Sequence, residues 1–154
     1  MAHAVIEVTD SQLIFGESLH RLMHAYQRTM REAFRAHAIE LSVAQVRVLK
    51  CVAGAKAATV HAISQRMDSD RGQVTRAVAQ LRERGLVIQD DNPADRRVPL
   101  LAITPAGRDL LARVLDIQAA AGRRMAHGLA DADVAQFVVI ADHMTAGLGN
   151  AADG

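Results

Sequence analysis

The run Asp70-Arg-Gly-Gln-Val-Thr-Arg-Ala-Val-Ala-Gln-Leu-Arg-Glu-Arg84 carries polar residues spaced to read a nucleic-acid surface. Val74, Ala77, Val78 and Leu81 recur at i, i+3, i+4 and i+7, which predicts a helix with one apolar stripe packed inward. At about 100° per residue, Gly72, Arg76 and Ala79 point away from that stripe, with Gln73 and Gln80 on one flank and Thr75 on the other. Arg76 can reach a guanine edge or a phosphate, the glutamines can pair with adenine, and the small neighbours permit close approach to a large surface. Ser69 and Arg71, at the start of the helix, suit phosphate contact. A second polar cluster, Asp90-Asp-Asn-Pro-Ala-Asp-Arg-Arg97, sets Arg96 and Arg97 between turn formers and a β-rich run, where they suit a phosphate or a minor groove.

Other reactive residues are more isolated. Cys51 is the only cysteine, which excludes an intrachain disulfide framework and fits a reducing cytoplasm. It lies one turn after Arg47, and a nearby cation can activate a thiol, although a small buried filler is the commoner role. His20 and His24 share a helix face at metal-binding spacing, but no further ligand completes a set locally, so no metal and no cofactor are expected. Met23, Tyr26, Met30 and Phe34 form a stripe whose default role is packing and whose alternative is to line a small-molecule pocket. With no glycine-rich phosphate loop, nucleophile elbow or paired-carboxylate loop, an enzyme is not expected.

The elements that must position these residues follow from the rest of the chain. At 154 residues and 50% hydrophobic content there is material for one packed domain, and with 3% aromatics the core must be aliphatic. Net charge is +1, and the segment Arg66 to Arg97 holds seven arginines against six acids, so any affinity for a polyanion must come from local placement. No basic start marks a signal peptide and no apolar run is long enough to span a bilayer, so the expected location is cytoplasmic with no membrane partner.

A helix of roughly 25 residues is predicted from Ser11 to about His37, with Thr9, Asp10 or Ser11 as its cap. Ser42-Val-Ala-Gln45 has capping-box spacing and opens a helix to Gly54 with Val46, Leu49, Val52 and Ala53 inward. Ala57 to Thr59 is read as a short strand, and Val60 to Met67 as a helix with Val60, Ile63 and Met67 inward. Met67-Asp-Ser-Asp70 then joins it tightly to the recognition run, with Asp70 and Gln73 again at capping-box spacing, to make a helix-turn-helix. After Gly85, Leu86 to Gln89 and Val98 to Ile103 are β-rich arms of a hairpin, and Pro99 argues for an edge position in the second arm. Thr104-Pro105 starts a helix to about Ala126, Gly128 breaks it, and Asp131 or Asp133 caps a last helix. That helix carries Val134, Phe137, Val138, Ala141, Met144 and Leu148 on one side. The fold class is mainly α with a small β-hairpin wing: a winged-helix core at 41–104 between helical segments 11–38 and 105–149. Those flanking apolar stripes exceed what a small wing domain can cover, which calls for a homodimer.

Val74-Thr-Arg-Ala77, Leu81-Arg-Glu-Arg-Gly-Leu-Val87, Asp95-Arg-Arg97 and Ile103-Thr-Pro-Ala-Gly107, in this order, resemble the MarR family of winged helix-turn-helix transcription regulators. The resemblance implies a single MarR-like domain over 1–154 that dimerises through its terminal helices and places each recognition helix in a major groove of double-stranded DNA. It further implies that Asp95 pairs with one of Arg96 and Arg97 to shape the wing, leaving the other arginine for a narrow minor groove. A small aromatic or phenolic ligand that releases a pseudo-palindromic operator is the implied trigger, and repression the implied outcome. Gly72 and Gln73 stand where the family often has serine or proline. A winged-helix protein-interaction module that does not read DNA is the alternative, favoured by the near-neutral charge.

Overall fold

The computed structural model describes residues 10–149. The order of elements is α1 (Asp10–Ala36), α2 (Val43–Gly54), α3 (Val60–Met67), α4 (Arg71–Glu83), β1 (Val87–Asp90), β2 (Leu100–Ile103), α5 (Pro105–Met125) and α6 (Asp131–Gly149). These residues fall into two compact units divided after Gln118, within α5.

In the first unit α4 packs on α2 and α3, α2 also packs on β2, and the two strands pair antiparallel with Val87 opposite Ile103 and Asp90 opposite Leu100. The largest fully buried side chains are Leu49, Leu81, Val48, Val74, Val87 and Val114, an aliphatic core drawn from α2, α4, β1 and α5. The stripe expected on α4 is the buried one: Val74, Ala77, Val78 and Leu81. On α2 the buried set is Gln45, Val46, Val48, Leu49 and Val52, whereas Ala53 is exposed. Because α2 is covered by both α4 and β2, its inward face is wider than one stripe and is rotated towards Val48. On α3 the buried residues are Ile63, Ser64 and Met67, and Val60 is half-buried.

Three helices end in the same way. Behind α1, Ile39 N–H donates to Phe34 O (2.9 Å) and Ala38 N–H to Arg35 O (3.2 Å). Behind α3, Ser69 donates to Ser64 O and Asp68 to Gln65 O; behind α4, Leu86 donates to Leu81 O and Gly85 to Arg82 O. This 6→1, 5→2 pattern needs a left-handed residue, supplied by Ala38 (φ 51), Asp68 (φ 46) and Gly85 (φ 68). Only the last is the glycine that the conformation favours.

Other expectations are corrected by the fold. Ala57 to Thr59 does not form a strand: Ala58 makes a single bridge to Leu101, whose N–H donates to Ala58 O (2.7 Å), and Thr59 instead caps α3. Pro99 lies just before β2, so its missing N–H removes nothing from the ladder. Asp10 belongs to α1 itself, as does Ser11, while Thr9 lies outside the described residues.

In the second unit, Gly128 (φ 84) separates the end of α5 from α6. Asp133 does not precede α6 as a cap; it sits within the first turn and accepts from Ala130 N–H (3.1 Å). Along α6, Val134, Ala141 and Met144 are half-buried, whereas Phe137, Val138 and Leu148 are exposed together with Val139 and Ile140.

Candidate nucleic-acid interface

The helix-turn-helix is made by α3, the Asp68-Ser69-Asp70 turn and α4. Asp70 caps α4 by accepting from Gln73 N–H (3.0 Å), which is the forward half of a capping box; in α2 both halves are present between Ser42 and Gln45. Since the stripe is buried against α2 and α3, the opposite face of α4 is left to solvent, and Arg71, Gly72, Gln73, Thr75, Arg76, Ala79 and Gln80 are all exposed. Thr75 Oγ1 donates to Arg71 O (2.8 Å), so its hydroxyl is turned to its own helix. Ser69 is half-buried, with Oγ donating to Met67 O (3.1 Å). Gln80 is the member of the set with a long-range tie: its Oε1 accepts from Gln45 Nε2 on α2 (2.8 Å). That leaves the Gln80 amide nitrogen and the second acceptor position of its carbonyl for the paired contact with adenine that the sequence suggested.

The wing tip is closed by local polar bonds. Asn92 Nδ2 donates to Val98 O (2.8 Å) while Asn92 Oδ1 accepts from Ala94 N–H (3.0 Å), and Asp95 Oδ1 accepts from Arg97 N–H (2.9 Å). The carboxylate of Asp95 therefore holds the backbone of the tip, and not the guanidinium of Arg96 or Arg97 that the family pattern implied as its partner. Both arginines are exposed.

What fixes the wing to the helices is a contact of glycine and threonine. Thr104 Oγ1 donates to Gly85 O (2.7 Å) and accepts from Gly107 N–H (3.0 Å), and Thr104 N–H donates to Leu86 O (3.1 Å). Gly107 is buried so tightly there that a Cβ would stand 2.2 Å from Leu86 O and 2.8 Å from Ile103 Cγ1. The T-x-x-G pattern was visible in the sequence, but not the carbonyl that requires the glycine. Gln45 was likewise read only as half of a cap; its second bond joins residues 35 positions apart, a separation that no local pattern signals.

Residues of α1, α2, the segment between them and Gln118 of α5 line an open-sided cavity of about 510 Å³. Tyr26, Met30, Phe34, Leu41 and Val46 give it apolar walls, and Arg31, Arg47 and Lys50 supply cations with no acid among the lining residues. Lys50 Nζ donates to Gln118 Oε1 across it, and Arg47 Nη2 donates to Met67 O (3.0 Å). Three of the four residues in the predicted stripe thus line this space, while Met23 is exposed. Cys51 is half-buried. His20 and His24 lie exposed on α1 beside Arg21 and Arg28, and among the described residues no cluster of three or more His, Cys, Asp or Glu is placed to hold a metal. Among the described residues no helix is long and apolar enough to cross a membrane.

A model of the MarR family matches residues 39–98, the stretch that contains α2 to the wing tip. A protein of Thauera aromatica described as a transcriptional regulatory protein for the hcr operon is 30% identical over 110 residues, which cover 68% of this chain and 66% of that relative. CouR of Rhodococcus jostii RHA1, solved with p-coumaroyl-CoA bound, is 27% identical with a TM-score of 0.72 over 84% of this chain and 90% of its own. BpsR of Bordetella bronchiseptica, whose DNA binding is regulated by 6-hydroxynicotinic acid, shares the fold: TM-score 0.74 at 21% identity, covering 94% of this chain and 98% of its own.

Proposed function

Since the chain belongs to the MarR family of winged helix-turn-helix transcription regulators, we propose that it is a ligand-responsive repressor that binds a pseudo-palindromic operator as a homodimer. The observation that carries this reading is the α4 face, where Arg76 stands exposed between small residues on a helix whose opposite side is locked into the core. Gln73, Thr75, Arg76 and Gln80 read bases in the major groove, Ser69 and Arg71 hold phosphates, and Arg96 and Arg97 reach from the wing to the adjacent minor groove. Asp95 presets the shape of that tip. The half-sites lie about 10 to 10.5 bp apart centre to centre, or a multiple of that. The α1–α2 cavity takes the effector. Its aromatic walls and three cations suit an aromatic or phenolic acid, and the ligands of CouR and BpsR both contain an aromatic ring.

The test is selection from a random duplex pool at low and at physiological salt, run with the wild type, Arg76→Ala and Arg96→Ala. An inverted repeat at the stated spacing should survive physiological salt. Arg76→Ala should cost about 1 to 3 kcal/mol and relax the preference at one position per half-site, whereas Arg96→Ala should weaken binding more evenly. Retention only at low salt with no enriched sequence would replace this reading with the protein-interaction module, which the near-neutral charge of the segment favours.

A further inference from the structure

We propose that Arg47 is the residue through which an anion in the α1–α2 cavity loosens the turn that sets the recognition helix. This rests on the reading of the cavity as an effector site and adds the route by which occupancy reaches DNA. Three cations line the cavity, and their attachments differ. Lys50 is tied to Gln118 of α5, whereas Arg47 is tied by Nη2 to the carbonyl of Met67, the last residue of α3. Among the described residues, the only other side chain on that carbonyl is Ser69 Oγ, a bond within the turn itself. Arg47 is therefore the tertiary strap on a connection that includes the left-handed Asp68 and ends at Asp70, the cap of α4.

The competition is between a neutral carbonyl and an ionised oxyanion for one guanidinium. A carboxylate offers the guanidinium an opposite charge and a bidentate pair of bonds, where the Met67 carbonyl offers one bond to a neutral acceptor. An aromatic acid seated among Tyr26, Phe34 and Arg31 draws the Arg47 fork into the cavity and away from Met67 O. The turn then keeps its local bonds but loses its attachment to α2. The α4 N-terminus, with Arg71 and Gln73, is no longer held at one angle to the core, and the occupied state is the one in which it is misplaced.

The experiment measures affinity for the selected duplex with the wild type, Arg47→Met, Arg47→Lys, Arg31→Met and Lys50→Met, with and without benzoate as the anionic probe. Thermal melts confirm that each variant is folded. Without benzoate, Arg47→Met should bind at least tenfold more weakly and Arg47→Lys should recover most of that loss; Arg31→Met and Lys50→Met, which keep the strap, should instead raise the benzoate concentration needed to release the duplex. The slope of affinity against salt should be unchanged in Arg47→Met, whereas an arginine that touched phosphate itself would take about one unit from it. Amide exchange across residues 68–73 should quicken both in Arg47→Met and in benzoate-bound wild type. Benzoate should weaken wild-type binding and add nothing to Arg47→Met. Wild-type affinity in folded Arg47→Met, a lowered salt slope, or an unaltered benzoate response in that variant would each overturn the strap while leaving the regulator reading in place, and so would benzoate having no effect on the wild type. Failure of the wild type to select any duplex would overturn the regulator reading itself.

Discussion

Gly107 shows how a short motif can state a requirement without stating its reason. Thr104 is satisfied twice, by Gly85 O and by Gly107 N–H, and this brings the start of α5 against Leu86 so closely that no side chain fits at residue 107. The obstructing atoms are a backbone carbonyl and a buried branched side chain, neither of which can swing aside. Gly107→Ala should therefore lower stability by about 2 to 3 kcal/mol, read as a fall in the urea midpoint at unchanged slope. A midpoint equal to the wild type would mean that α5 and Leu86 separate easily. Arg76 represents the opposite situation: its outward position was legible from periodicity alone, since only the inward stripe had to be known. Asp95 lies between the two. Its importance to the tip was implied by resemblance, but its partner is a backbone N–H, which no side-chain pattern could announce.

At the level of elements, the boundaries of α2, α3, α4 and α5 were legible within a residue or two, because serine, threonine, aspartate or Thr-Pro marks each start. What was not legible is how an element is shared among neighbours. The face of α2 was misjudged at Ala53 because α2 serves both α4 and β2, and periodicity counts a single partner. The short strand expected at Ala57 to Thr59 failed because the cap of α3 claims Thr59. The Gln45–Gln80 bond ties α2 to the last turn of α4 near its exposed edge. A double-mutant cycle of Gln45→Ala and Gln80→Ala should return a coupling of roughly 0.5 to 1.5 kcal/mol in denaturation. Additive losses would show that the two amides do not hold each other in solution.

For the whole molecule, the question is what lies against the apolar surface of α6. Phe137, Val138, Val139 and Ile140 are consecutive and each about half exposed, 46 to 56% by residue, a density that isolated surface hydrophobics do not reach. A second copy of the chain is the occupant that the proposed operator symmetry requires. Sedimentation equilibrium should give about twice the 16.6 kDa chain mass, and Phe137→Glu should shift the distribution towards one chain while leaving the helix content unchanged. A wild-type mass of one chain at micromolar concentration would sink the homodimer and, with it, the palindromic operator. The closure of the wing by Asn92 and Asp95 alone has a consequence over generations. Since, among the described residues, no hydrogen bond that closes the loop comes from the side chain of Arg96 or Arg97, descendants can exchange those two side chains without refolding the hairpin. If the wing reads DNA as proposed, it is a place where a lineage can acquire new target sequences by single substitutions, while α4, four of whose thirteen residues build the core, changes far more slowly.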